Sequence, residues 1–190
     1  MKKRKASIIL IVCTLLFTLT AQQLIPKPVT FGFRKTETRH IDVVVVHSTY
    51  NASGGDHWDL TKILSQFRRY GVAAHYIIDR SGTIYQLVDD TNIAYHAGKS
   101  KLPDGTSGIN SRSLGIELIN DTVEHPTEEQ YVALTDLLVS LCTHYPMKHI
   151  VRHSDIAPGR KTDPWNTDWE RVMRELSGRD IQPGITVKDR

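Results

Sequence analysis

The segment from residue 153 to residue 164 brings together three side chains suited to hydrolytic chemistry. These are the imidazole of His153, the ammonium of Lys161 and the carboxylate of Asp163. Two prolines and a glycine in the same segment predict a turn-rich loop, because these residues interrupt helices and strands. A nitrogen ligand, an oxygen ligand and a cation in one loop suit a metal-assisted hydrolytic site. The set needs a third metal ligand from elsewhere in the chain, and His47 offers one.

His47 ends a run of β-branched residues, and His153 follows a second short apolar run. Open α/β sheets bind ligands beyond the ends of their strands, so both imidazoles are expected at one sheet edge. Together with Asp163 they would form a three-ligand set with an open fourth position, as catalytic zinc sites do. The alternative for His47 alone is a structural histidine at the end of a buried strand.

Two further residues are candidates for proton transfer and charge stabilisation. Glu117 lies within the apolar segment from Leu114 to Asn120, where a carboxylate is aimed either at solvent or into a pocket. Beside a metal-activated water it would act as the general base. Lys161 is either a solvated loop cation or, if it points inward, a stabiliser of the oxyanion formed at an amide carbonyl.

The chain also predicts the elements that must position these residues. Thr127 and Gln130 form a capping box that begins a helix, and residues 80–83 read as a hairpin turn. The sequence predicts an α/β fold, a single domain with a central mixed β-sheet flanked by helices. The predicted strands cover 41–46, 74–79, 84–88, 114–120 and 149–151, and the predicted helices cover about 60–70, 127–145 and 169–177.

The composition and the termini bound the class of protein. The chain has 190 residues, is 39% hydrophobic and carries a net charge of +3. Much of this charge comes from Lys2 to Lys5, so we expect no nucleic-acid partner. The basic start and the apolar run from Ile8 to Leu19 predict a signal peptide or an uncleaved membrane anchor over 1–21. A lipoprotein Cys13 is a lesser alternative.

Predicted boundaries follow from these features and from the pattern of elements. An extended lead-in covers 22–39, the folded domain 40–178 and a polar tail 179–190. Export places the protein in a bacterial periplasm or on the cell surface, with a possible membrane tether through the N-terminus. A monomer is the expected oligomeric state.

Five segments, in order, resemble those of the zinc-dependent N-acetylmuramoyl-L-alanine amidases. This is the amidase-2 family, which includes the AmpD type and is related to phage T7 lysozyme and to peptidoglycan recognition proteins. The segments are Val43–Thr49, Ala74–Gln86, Ala94–Gly98, Asn110–Glu117 and His153–Pro164.

The resemblance implies a role for each of the main candidates. His47, His153 and Asp163 match the ligands of one zinc ion per chain. Glu117 matches the catalytic acid/base position of the AmpD-like branch, and Lys161 matches the lysine that helps to polarise the scissile carbonyl. The implied reaction is hydrolysis of the amide between N-acetylmuramic acid and L-alanine in peptidoglycan or muropeptides, for cell-wall turnover or remodelling.

Further candidates are expected to contact substrate or to support the zinc ligands: His75, His96, Asn110, Arg112 and Trp165. Members resembling T7 lysozyme carry a tyrosine before the second-strand histidine, where this chain has Ala74, which assigns the acid/base role to Glu117. Trp165 stands where many relatives have glycine. The alternative functions are a non-catalytic peptidoglycan-binding module of the same fold and a different zinc peptidase.

Overall fold

A seven-stranded mixed sheet forms the centre of the molecule. The computed structural model describes residues 24–179 and 186–187. The strand order is β1-β5-β4-β7-β3-β8-β9, with β4 and β5 antiparallel and the other neighbours parallel, while β2 pairs separately with β6. The strands are β1 (Leu24–Pro26), β2 (Phe33–Arg34), β3 (Val43–Thr49), β4 (Tyr76–Ile78), β5 (Ile84–Gln86), β6 (Ile93–Ala94), β7 (Ser113–Ile119), β8 (His149–Arg152) and β9 (Thr186–Val187).

Helices cover both faces of this sheet, because its central strands are apolar on both sides. The helices are α1 (Leu60–Tyr70), α2 (Glu128–His144), α3 (His153–Ile156) and α4 (Trp169–Ser177), with a 3₁₀ turn at Ile109–Ser111. One face packs Val44, Val46 and Ile116 against α2 and α4. The other face packs against α1 and against the connection between β6 and β7.

The three middle strands fix the relative positions of the candidate residues. Strand β3 lies between β7 and β8, parallel to both. All seven residues of β3 are buried, and its run of four valines accounts for this position, because β-branched side chains suit a strand covered on both faces. The register sets His47 directly beside Glu117 on β7.

Most of the predicted elements are present. Helix α1 ends at Gly71, which adopts the left-handed conformation with φ 65° and closes the helix with backbone hydrogen bonds. Helix α2 begins with the predicted capping box between Thr127 and Gln130. The predicted hairpin joins β4 to β5, and Asp79 closes its turn by accepting hydrogen bonds from the backbone of Ser81 and Thr83.

One local prediction is wrong. The segment after residue 152 was expected to contain no helix, but His153–Ile156 form a single helical turn, α3. Its prolines come only later, and Asp155 stabilises the start of the turn by accepting a hydrogen bond from the backbone N–H of Arg152 at 2.9 Å. The turn ends before Pro158, as proline requires.

The ends of the described chain take part in the sheet. Residues Leu24–Pro26 of the extended lead-in pair with β5, and Thr186–Val187 of the polar tail pair with β8. The sheet therefore begins before the predicted domain boundary at residue 40. The predicted signal or anchor over 1–21 lies outside the described residues. Within the described ranges, no helix has the length and apolar character needed to cross a bilayer.

Candidate metal centre and active site

Parallel pairing in register brings the candidate ligands to one edge of the sheet. His47 lies near the carboxyl end of β3, and Val46 pairs with Arg152 at the end of β8. His153 follows Arg152 in the sequence and therefore lies next to His47. Asp163 is tied to the same place because its backbone oxygen accepts a hydrogen bond from the N–H of Ser154 at 2.9 Å.

The three ligand atoms form a small triangle. The Nδ1 atoms of His47 and His153 are 2.9 Å apart, and Asp163 Oδ2 lies 3.4 Å from the first and 3.0 Å from the second. A tetrahedral zinc ion with ligand bonds of about 2.0–2.1 Å places its ligand atoms roughly 3.3 Å apart. The residues present therefore fit a single metal ion of this size.

The electrostatics of the cluster suit a cation. Burial lowers the pKa of His47 to about 4, so its ring is neutral at pH 7 and offers a lone pair. Burial opposes ionisation of Asp163, but the two imidazoles beside its carboxylate outweigh this effect and hold its pKa well below the ordinary range. Two imidazoles and a carboxylate form a donor set that catalytic zinc sites use.

An open cavity of about 440 Å³ lies over the cluster. All three ligand residues line it but are themselves buried, with exposures of 1%, 3% and 5% for His47, His153 and Asp163. Glu117 and Lys161 line the same cavity. A substrate in this cavity would therefore touch the metal cluster and both candidate catalytic groups.

Glu117 has the environment of a proton carrier. Its Oε2 atom is buried and has no hydrogen-bond partner among the described residues. Burial and, to a smaller extent, the negative charge of Asp163 raise the pKa of Glu117 to about 8, against the opposing effect of the positive charge of Lys161. A carboxyl group tuned near neutral pH can accept and return a proton in one reaction cycle.

Lys161 projects from the loop after α3. Its backbone N–H donates to the carbonyl of Ala157 at 3.0 Å, which fixes where the side chain starts. Its charge acts on Glu117 and on His47, lowering the pKa of each. Lys161 therefore lies at the same cavity as the metal cluster.

Two further candidates, His96 and Asn110, support the cluster through contacts with His47 and with the backbone of His96 and Ala97. His96 is partly buried, and its Nδ1 lies 2.9 Å from Nε2 of His47. Burial lowers the pKa of His96 well below its ordinary value, so the ring is neutral. Asn110 accepts hydrogen bonds through Oδ1 from the backbone N–H groups of His96 at 3.2 Å and Ala97 at 2.8 Å.

The remaining three candidates have different surroundings. His75 does not line the cavity; its ring stands 5.7 Å from that of His96 and accepts a hydrogen bond from the N–H of Gly115 at 3.0 Å. Arg112 also lies away from the cavity and forms an ion pair with Asp42, at the amino end of β3. A substrate contact by either side chain has no support in this structure.

Trp165 does lie at the cavity. Its indole Nε1 donates to Thr162 Oγ1 at 2.9 Å, and its ring meets that of Tyr50 edge-on with centroids 5.8 Å apart. Tyr50 was not identified from the sequence. Neither was Ser113, which contacts His96 through its hydroxyl group at 3.1 Å.

A signal for Ser113 exists in the sequence. Alternate residues of a strand share a face, so Ser113, Gly115 and Glu117 all lie on the face of the sheet that carries His47. Two small residues followed by an acid on one face leave room for a bulky group. The ring of His96 occupies that room, since a Cβ atom on Gly115 would come within 2.5 Å of it.

Comparison with known sequences gives a consistent result. Residues 37–166 match the family model described as N-acetylmuramoyl-L-alanine amidase (Amidase_2). The 1,6-anhydro-N-acetylmuramyl-L-alanine amidase AmpD of Haemophilus influenzae is 39% identical over 109 residues, covering 55% of this chain and 59% of that protein. The N-acetylmuramoyl-L-alanine amidase AmiD of Escherichia coli is 30% identical over 157 residues, covering 73% of this chain and 54% of that protein. The matched region thus spans little more than half the length of these relatives.

Solved structures agree with the fold. A selenomethionyl AmpD superposes with a TM-score of 0.66 at 29% identity, covering 83% of this chain and 96% of that one. Escherichia coli AmiD, solved in complex with anhydro-N-acetylmuramic acid-L-Ala-D-gamma-Glu-L-Lys as substrate, gives a TM-score of 0.63 at 28% identity, covering 75% of this chain and 60% of that one. With the fold, the His-His-Asp cluster and the matched residues 37–166 in agreement, the chain belongs to the N-acetylmuramoyl-L-alanine amidase family.

Proposed function

We propose that this chain is a zinc-dependent amidase that hydrolyses the bond between N-acetylmuramic acid and L-alanine in peptidoglycan or its fragments. The observation that carries the proposal is the arrangement in one cavity of three buried metal-binding groups and a buried carboxyl oxygen of Glu117 that has no hydrogen-bond partner in the described part of the chain. A metal-dependent hydrolase needs both features. A module that only binds its ligand needs neither.

Each residue has a defined part in the reaction. His47, His153 and Asp163 would hold zinc, which when bound supplies Lewis-acid polarisation of the scissile carbonyl and of the attacking water. Glu117 accepts a proton through Oε2 from that water as the water oxygen adds to the carbonyl carbon. Lys161 stabilises the negative charge that develops on the carbonyl oxygen. Glu117 then returns the proton to the departing nitrogen of L-alanine as the carbon–nitrogen bond breaks.

The substrate class follows from the relatives and from the rim of the cavity. AmpD relatives are named for 1,6-anhydro-N-acetylmuramyl-L-alanine, and the AmiD structure contains an anhydromuramyl peptide. In this chain Trp165 and Tyr50 offer aromatic surfaces at the cavity, suited to the apolar face of a sugar ring. We therefore propose a muramyl peptide as substrate, seated with its sugar near these rings.

Turnover of defined muropeptides tests the proposal. The wild-type chain should release free stem peptide, and Asp163→Ala should release none because it lacks a zinc ligand. Asp136→Ala is a matched control, since it removes an aspartate that forms an ion pair with Arg179 on the other side of the sheet. Equal activity of wild type and Asp163→Ala would overturn the proposal, and zinc binding without any cleavage would favour the binding module.

The location is proposed from the sequence of residues 1–21. The basic start and the apolar run that follows it support export to the periplasm or the cell surface of a bacterium. Fractionation of cells expressing the full chain, with mass analysis of its N-terminus, separates a cleaved signal from a retained anchor. Recovery of the intact chain in the cytoplasm would contradict export.

A further inference from the structure

The hydroxyl group of Ser113 has a defined direction. Its Oγ lies 2.7 Å from the carbonyl oxygen of Ile109 and 3.1 Å from Nε2 of His96. A carbonyl oxygen only accepts, so Ser113 must donate its single proton to Ile109. Ser113 can therefore only accept from His96, which places the ring proton of His96 on Nε2.

The tautomer of His96 determines the tautomer of His47, the first of the two metal-binding histidines. With its proton on Nε2, the neutral ring of His96 has a bare Nδ1, and that atom accepts a hydrogen bond from Nε2 of His47 at 2.9 Å. His47 therefore carries its own proton on Nε2. Its Nδ1 lone pair is left free and faces the metal cluster.

The second metal histidine is fixed by the neighbouring residue. Nε2 of His153 lies 3.2 Å from the carbonyl oxygen of Ala97, which can only accept. The neutral ring of His153 therefore also bears its proton on Nε2 and presents a bare Nδ1 to the cluster. Two consecutive residues, His96 and Ala97, thus supply the acceptors for both metal histidines.

The two-residue segment is itself held in place. Asn110 accepts from both of its backbone N–H groups, and Arg160 donates to the carbonyl oxygen of Ala97 at 3.1 Å. The ring of His96 rests on Gly115, where any side chain would collide with it. The position of each acceptor is therefore determined by the fold before a metal binds.

We infer that the His96–Ala97 segment, with Ser113 and Asn110, is a positioning device that sets the ring tautomers of His47 and His153 so that each presents Nδ1 to the metal. The inference rests on the proposed zinc-dependent function and assigns these four residues to metal affinity rather than to substrate contact. Two bare nitrogens and a carboxylate oxygen within 3.4 Å of one another repel unless a cation lies between them. The device therefore favours the metal-bound state.

The tautomers can be observed without metal or substrate. Nitrogen-15 NMR of the chelator-treated full chain, correlating ring nitrogens with carbon-bound ring protons, distinguishes a protonated nitrogen from a bare one. We expect His47, His96 and His153 each to show a bare Nδ1 and a protonated Nε2. A protonated Nδ1 on His47 or His153 would overturn the inference.

Zinc affinity gives the second test, measured by competition with a chromophoric chelator. Ser113→Ala removes the acceptor that fixes His96 and should weaken zinc binding about 10–100-fold, the usual effect of losing such a partner. Ser111→Ala is the matched control, because that exposed serine also donates to a backbone carbonyl but touches no imidazole. Unchanged affinity in a folded Ser113→Ala protein would contradict the inference.

Substitution of His96 separates orientation from packing. His96→Asn keeps an amide oxygen near the position of Nδ1, whereas His96→Leu fills space without an acceptor. We expect His96→Asn to retain more zinc affinity than His96→Leu, and equal loss in both would reduce His96 to a packing residue. These readouts use zinc alone, so a failure of the proposed amidase activity would leave them standing and is distinguishable from their own failure.

Discussion

Replacing Glu117 with glutamine should stabilise the metal-free protein and should lower the turnover of the zinc-bound protein. The carboxyl group, whose Oε2 atom is buried, has a pKa raised from 4.5 to about 8, chiefly by burial, so ionising it in the folded state is costly. Glutamine has the shape of the protonated acid and never ionises. The substitution therefore removes a pH-dependent penalty without opening a cavity.

The size and sign of the effect follow from the two pKa values. Below pH 4.5 both the folded and the unfolded protein keep the proton, so this residue adds no pH dependence. Between 4.5 and 8 only the unfolded state releases it, and the wild-type free energy of unfolding falls by about 1.4 kcal/mol per pH unit. The advantage of Glu117→Gln should therefore grow with pH and level off near pH 8 at up to about 5 kcal/mol.

Urea denaturation in excess chelator, at several values between pH 5 and pH 8, measures this difference. Glu37→Gln serves as a control, because that side chain is exposed. A difference between Glu117→Gln and wild type that does not change with pH would show that Glu117 is not a buried carboxyl of raised pKa. With zinc bound the difference should shrink, since a nearby cation favours the ionised acid. Turnover by the zinc-bound variant should fall by about 10²–10⁴-fold.

Three other substitutions test separate parts of the site and the fold. His153→Ala should lose both bound zinc, measured by elemental analysis, and activity; retention of one zinc per chain would remove this residue from the ligand set. Lys161→Met should keep zinc but lower kcat by about 10²–10³-fold, as expected for a lost stabiliser of the oxyanion, and an unchanged kcat would return Lys161 to the solvent-exposed alternative. Gln130→Ala should lower the free energy of unfolding by about 2–4 kcal/mol, because the buried amide of Gln130 donates to the carbonyls of Ile78 and Ile119; a loss below about 0.5 kcal/mol in urea denaturation would contradict that role.

The sequence predicted the elements well where a local pattern determines them. The valine run of β3 and the capping box of α2 depend on residues close together in the chain, and both are present. The pairing of Leu24–Pro26 with β5 was not predictable in the same way, because it joins segments about 60 residues apart through backbone hydrogen bonds. Such pairing leaves no periodic signal in either segment.

The candidate site shows the same division. His47 and His153 were expected at one sheet edge because both follow buried runs, but only the observed register shows that Glu117 is the direct neighbour of His47. Arg112 has the same sequence context as Asn110, yet one side chain turns to Asp42 and the other to the loop beneath the cluster. That choice depends on tertiary contacts. The spacing of residues in the sequence does not predict the direction of either side chain.

Hydrolysis of the proposed bond places the oxygen atom of water in the muramic acid product. The full zinc-loaded chain should be incubated with a defined muropeptide in ¹⁸O-labelled water, with and without chelator, and the products weighed by mass spectrometry. We expect release of an intact stem peptide beginning at L-alanine, one ¹⁸O atom in the lactyl carboxylate of the muramic acid, and no reaction when chelator is present. Label within the peptide, or cleavage that continues in chelator, would contradict the proposed bond or the proposed metal.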